Sequence, residues 1–254
     1  KASRGRSLAW AVAGLLVGAL AVFVALRPWT HPAAPGRAVT RWIIKLPPGE
    51  AIPGARSSPL GIVRPSVAIS PDGGRLAYVI ERKGTVQLHL RSMDQFEATA
   101  VPGTEGAYYP FFSPDGRWVG FFSGNKLKKV AVAGGAPETL CDATYPYGAS
   151  WGPDDTIVFS DREGVDIVRV PASGGSSQRV AFRDPQKGAA RYFWPEILPG
   201  GKAVLVSPAS GVAVLFLETG EERLLLPSAG NARFAATVSD LAGHVVFARG
   251  ASLW

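Results

Sequence analysis

The stretch PFFSPDGRWVGFF (110–122) reads as two alternating strands joined by a tight turn. In Ser113-Pro114-Asp115-Gly116, proline presets φ at the first central position of the turn and aspartate suits the second. Glycine accepts positive φ where the chain re-enters the next strand. The same hairpin occurs upstream as VAISPDGGRLAYV (67–79), around Ser70-Pro71-Asp72-Gly73. It recurs downstream as ASWGPDDTIVFS (149–160), around Pro153 and Asp154. Two degenerate copies follow, PEILPGGKAVLVS (195–207) and TVSDLAGHVVFAR (237–249).

The turn positions Pro71, Pro114, Pro153, Pro199 and Leu241 are 43, 39, 46 and 42 residues apart. A period near 40 residues is that of propeller blades. Between the turns a second pattern recurs: TVQLHLRSMD, KLKKVAVAGGAPETL, DIVRVPASGGSSQRV and VAVLFLETGEERLLL. Each is an alternating strand, a polar or glycine turn and another strand, so each unit supplies four strands. One such sheet exposes two apolar faces, which a ring of sheets buries against its neighbours. The expected fold is an all-β propeller of four-stranded blades over residues 40–254, with about five blades visible. Val67, Ile69, Leu76, Tyr78, Phe112, Val119, Phe121, Trp151, Ile157, Val158 and Phe159 are the expected inter-blade core. The chain stops at Ser252-Leu253-Trp254, in what reads as the third strand of a fifth blade, so the ring is expected to be incomplete. Thr40–Leu46 (TRWIIKL) is expected to be a strand completing the last blade of a ring of six or more.

Ahead of the repeats, Leu8 to Leu26 run without a charge, LAWAVAGLLVGALAVFVAL. That length suits a helix crossing ~30 Å of hydrocarbon at 1.5 Å per residue, with Trp10 and Trp29 near the two interfaces. A secretory signal is the rival reading, but its apolar region is shorter, ~7–15 residues. The chain also begins at Lys1 rather than Met, so the segment is expected to be internal to a longer protein. Residues 1–7 form a basic juxtamembrane segment and 27–39 a Pro/Ala-rich tether. Basic residues flank the apolar run on both sides, so charge alone does not orient it.

The net charge of +7 falls to 24 basic against 20 acidic residues once Lys1, Arg4 and Arg6 are set aside. The remaining charge is scattered, which argues against nucleic-acid binding. Cys141 is the only cysteine, which excludes an intrachain disulfide, and His31, His89 and His244 have no ligand-spaced partners. No metal site and no cofactor are expected. Asp161, Glu163 and Asp166 lack the full donor run of a calcium loop and read as a polar hairpin tip. Gly148-Ala149-Ser150-Trp151-Gly152 matches the G-x-S-x-G pattern. A nucleophile elbow, however, is followed by a helix, and here another strand follows. No catalytic residue is assigned.

These SPDG repeats resemble the TolB-like, Pro-Asp-repeat β-propellers. GTEGAYYPFFSPDGRWVGFFSGNKLKKVAVAGGAPETLCDA, with RVPASGGSSQRV and GHVVFARGASLW, looks like the propeller that follows the transmembrane helix of bacterial receptor-type serine/threonine protein kinases. The resemblance covers residues 41–254; the fourth and fifth repeats depart from it, with Gly200 and Ala242 where aspartate is expected. It implies a kinase domain upstream of Lys1 and a propeller on the outer side of the membrane. The partners would be the lipid bilayer and an extracytoplasmic ligand or protein. A TolB-type envelope scaffold without signalling and an accessory propeller of a hydrolase are the alternatives. Alignment on the turns sets Tyr108, Tyr109, Tyr147, Phe193 and Trp194 just before the inner strands, with Arg64, Arg191 and Arg233 nearby. Together they would suit a sugar, a peptide or an anionic group at one channel mouth.

Overall fold

The computed structural model describes residues 46, 49–53, 66–182, 191–236, 243–249 and 252–253. The apolar run 8–26, the tether 27–39, the expected strand 40–46 (apart from Leu46, which is not in a strand) and Arg64 lie outside them. Among the described residues no helix is long and apolar enough to cross a membrane.

Among the described residues the fold is an all-β propeller of five blades. Blade 1 comprises β1 (Glu50–Ala51), β2 (Val67–Ile69), β3 (Arg75–Arg82), β4 (Thr85–Ser92) and β5 (Thr99–Ala100), with β1 and β2 both paired to β3. Blade 2 is β6 (Tyr108–Phe112), β7 (Trp118–Ser123), β8 (Lys126–Ala131) and β9 (Glu138–Asp142). Blade 3 is β10 (Ala149–Trp151), β11 (Thr156–Asp161), β12 (Asp166–Pro171) and β13 (Gln178–Phe182). Blade 4 is β14 (Glu196–Ile197), β15 (Ala203–Val206), β16 (Gly211–Phe216) and β17 (Glu222–Pro227). Blade 5 has three described strands, β18 (Gly230–Ala236), β19 (Gly243–Arg249) and β20 (Ser252–Leu253). Every pairing is antiparallel.

In blades 1 to 4 the central strand (β3, β7, β11 or β15) is covered on both faces, so its apolar run is continuous rather than alternating, whereas β19 of blade 5 is only partly buried. In β7, Val119, Phe121 and Phe122 are fully buried, and in β11 so are Ile157, Val158 and Phe159. Burial of each such side chain stabilises by about 1.5–3 kcal/mol. Four apolar clusters fill the seams in chain order. Leu88, Val79, Phe112 and Phe121 join blades 1 and 2; Phe122, Leu127, Trp151 and Phe159 join blades 2 and 3. Val158, Ile167, Val204 and Leu215 join blades 3 and 4; Leu205, Val212, Ala229 and Ala232 join blades 4 and 5. Two expected core residues differ. Ile69 is half exposed and Val67 only partly buried: along β2 they alternate with Ala68, which packs on the seam between blades 1 and 2, and both border the cavity.

The first turns of blades 1 to 3 are held by their own side chains. The Ser113 hydroxyl donates to Asp115 Oδ1 (2.6 Å) and accepts the Trp118 N–H (3.0 Å). Asp115 Oδ1 also accepts the Arg117 N–H (3.0 Å), and Gly116 N–H closes the turn on the Ser113 carbonyl (2.9 Å) with φ +69°. Ser70, Asp72 and Gly73 repeat this arrangement, with Gly74 N–H on Asp72 (2.9 Å) and Arg75 N–H on the Ser70 hydroxyl (2.8 Å). After Pro153, Asp154 accepts the Thr156 N–H (3.2 Å), and Asp155 takes the positive φ.

Candidate functional site

The inner strands of all five blades border one cavity of about 580 Å³. The repeat places Ala68, Phe111, Ser150 and Glu196 at the same position of blades 1 to 4, and β18 of blade 5 brings Arg233 beside Glu196. Side chains at this position also tie the blades together. Ser150 Oγ accepts the Ile197 N–H (3.0 Å), and Glu196 Oε1 accepts the Phe234 N–H (3.0 Å). Each bond satisfies an N–H on the next inner strand, which as an edge strand has no ladder partner on that side.

Among the described residues bordering the cavity, the charged ones belong to blades 4 and 5. Glu196 Oε2 pairs with Arg233 Nη1 at 3.0 Å; the carboxylate is 17% exposed and the guanidinium 53%. Across the cavity, blades 1 and 2 contribute Val67, Ala68, Ile69, Pro110 and Phe111, an apolar wall.

The strand-start end of the cavity is aromatic. Tyr109 and Trp194, from blades 2 and 4, meet edge to face with ring centroids 4.9 Å apart. Tyr109, Gly148 and Trp194 occupy the same repeat position and have φ of +50°, +95° and +52°. Asn231 takes φ +50° at the start of β18. At Tyr109 and Asn231 the ladder shifts register, as a β-bulge does when it re-aims side chains. Gly148 is needed between the two aromatics, since a Cβ there would lie 2.7 Å from Trp194 Cε3.

Of the residues singled out from sequence, Tyr109, Trp194 and Arg233 border the cavity. Tyr108 packs behind them, on Phe122 (5.7 Å) and Tyr109 (5.3 Å); burial, then the neighbouring Tyr109, pushes its phenol far above the usual range. Tyr147 stacks edge to face on Phe193 (5.0 Å), and Arg191 pairs with Glu163 (3.0 Å). Burial raises the Tyr147 hydroxyl, and Arg191 beside it pulls the other way. These four residues therefore stand outside the cavity lining, at its strand-start end. Glu196, Ser150, Phe111 and Ile69 were not singled out as site residues. The available signal was the register itself, since Glu196 is an acid at the repeat position filled by Ala68, Phe111 and Ser150.

Ser150 is a mid-strand residue with its hydroxyl committed to blade 4, and β11 follows it. At the hairpin tip after β11, Asp161 accepts the Thr144 N–H, Arg162 faces Asp166 (3.4 Å) and Arg191 holds Glu163. Burial raises the Asp161 carboxyl, partly offset by backbone N–H donors. Cys141, half-buried on β9, has a thiol pushed up to about 11 by burial and then by Asp161. Among the described residues no three His, Cys, Asp or Glu side chains come together as a metal-binding group.

No family model matches the chain, and no curated protein matches it. Solved structures do. TolB from Acinetobacter baumannii superposes with a TM-score of 0.54 at 21% identity, over 72% of this chain and 50% of that one. The chain thus spans about half the length of that protein. A putative TolB from Agrobacterium tumefaciens gives 0.54 at 16% identity, over 75% and 79% of the two chains. A gluconolactonase from Xanthomonas campestris gives 0.56 at 17%, over 74% and 69%. The shared property is the propeller fold, which hosts unrelated functions.

Proposed function

We propose that this chain is the ligand-binding or protein-interaction propeller of a membrane-anchored bacterial serine/threonine protein kinase, carried outside the membrane by a helix over residues 8–26. The cavity bordered by the inner strands of all five blades is the observation that carries this reading. A site assembled from every blade responds to a change in any blade's position, which suits a domain that reports occupancy to a distant partner. The uncharged run 8–26 and the resemblance of the repeats to receptor-kinase propellers support the anchoring and the partner. A binding role is favoured over a catalytic one because Glu196 is the one carboxylate among the described residues bordering the cavity, and it is held by Arg233 and the Phe234 N–H. General acid–base chemistry needs a carboxyl placed to exchange a proton with substrate.

Reporter fusions test the placement. Alkaline phosphatase joined after Trp254 of the anchored protein should be active and green fluorescent protein there dark. The reverse pattern would overturn an extracytoplasmic propeller.

A further inference from the structure

We infer that the cavity takes an amphipathic anion, a molecule with one carboxylate or phosphate and a compact apolar body. The anionic group would meet Arg233 and the apolar body the wall around Ile69 and Phe111. The inference rests on the cavity being the binding site.

The two charged residues bordering the cavity are not equivalent. Glu196 is largely buried, and both its oxygens are used, one by Arg233 and one by the Phe234 N–H. Arg233 is half exposed and spends one of its five N–H groups on Glu196. Glu196 therefore acts as a positioning residue, and the charge presented to the cavity is a cation in a planar fork whose remaining donors have no partner among the described residues. That geometry fits a carboxylate or phosphate through paired hydrogen bonds.

Among the described residues, the wall formed by blades 1 and 2 carries no charge. Ile69 is 51% exposed inside a concave space, where an apolar side chain gains by being covered. Tyr109 and Trp194 meet at the strand-start end and narrow the cavity there. A cavity of about 580 Å³ suits a small molecule rather than a folded partner.

The probes are 4-phenylbutyrate, its amine counterpart 4-phenylbutylammonium, and butyrate, titrated calorimetrically into the full chain in nanodiscs. Phenylbutyrate should bind, and the amine and butyrate should bind at least about tenfold more weakly, the scale of one charge-assisted contact or one buried ring. Arg233→Gln paired with Glu196→Gln, which avoids stranding the carboxylate, should lose about tenfold in affinity, and Arg233→Lys should retain part of it. Ile69→Asn should weaken phenylbutyrate without restoring the amine. Equal binding of acid and amine, full affinity in the double variant, or no binding of any probe would overturn the anion assignment. The cavity reading fails separately. With Cys141→Ala and Ile69→Cys, a bulky maleimide adduct should block whatever probe binds, and undiminished binding after labelling would place the site elsewhere.

Discussion

Tyr109 and Trp194, 85 residues apart in sequence, touch edge to face across the start of the intervening blade, directly over Gly148. The contact needs a glycine there for two separable reasons, its φ of +95° and the 2.7 Å that would separate an added Cβ from the indole. Gly148→Ala should destabilise by about 2–4 kcal/mol, combining left-handed strain with a displaced ring. Gly124→Ala, at φ +58° with nothing near the added carbon, should cost only about 1 kcal/mol. Denaturant melts of the two variants measure the difference; equal losses would mean that the indole yields freely.

Ser113 is almost fully buried and serves both as donor to Asp115 and as acceptor for the Trp118 N–H. Removing the hydroxyl strands that N–H at the start of β7. Ser113→Ala should therefore cost about 1–3 kcal/mol, against less than about 0.5 kcal/mol for the exposed Ser176→Ala. Chemical denaturation of both variants checks this.

The turn aspartates set an acid limb. Asp115 ionises below the usual 3.8 because the Ser113 hydroxyl, and next the Arg117 N–H, bond its charged form. Asp72 does the same through Ser70 and then Gly74. A carboxyl whose folded pKa is depressed contributes stability above its unfolded value, and that contribution is lost as pH falls through the folded value. The Tm should thus change little through these groups between pH 7 and 5 and decline below about 4. In Asp72→Asn with Asp115→Asn, the deficit relative to wild type should shrink over that lower range. A deficit that stays constant down to pH 2 would exclude the mechanism.

Glu196 ties blade 4 to blade 5 through the Phe234 N–H as well as holding Arg233. Glutamine keeps an acceptor for the N–H, so Glu196→Gln should cost less than about 1 kcal/mol and Glu196→Ala about 2–3 kcal/mol. Hydrogen exchange at Phe234 should rise in the alanine variant and stay slow in the glutamine variant.

The blade count and its turns were legible because both are local. The Ser-Pro-Asp-Gly tetrapeptides around Pro71 and Pro114 carry their own hydrogen bonds, and the spacing of the turns gives the period. The fifth blade's third strand, Ser252–Leu253, was likewise readable from alternation. Ile69 is expected in the core because alternation gives parity without saying which face of the strand is covered: Ala68 packs on the seam and Ile69 stays half exposed. Tyr147 and Phe193 immediately precede Gly148 and Trp194, yet they pack beside the cavity, since the positive φ at those two residues re-aims the chain. The Glu196–Arg233 pair joins residues 37 apart on different blades, a closeness that only ring geometry creates.

The most direct measurement uses the full-length membrane-anchored kinase proposed above, with Cys141→Ala and a single new cysteine at Ile69, bordering the cavity, or at Phe96, 97% exposed on a blade 1 loop. A bulky maleimide on each is followed by kinase autophosphorylation across the membrane. Filling the cavity at position 69 should change autophosphorylation about fivefold or more, the scale of an allosteric coupling, with the adduct at position 96 leaving it unchanged. Equal autophosphorylation with the two adducts would contradict a sensing role for the cavity.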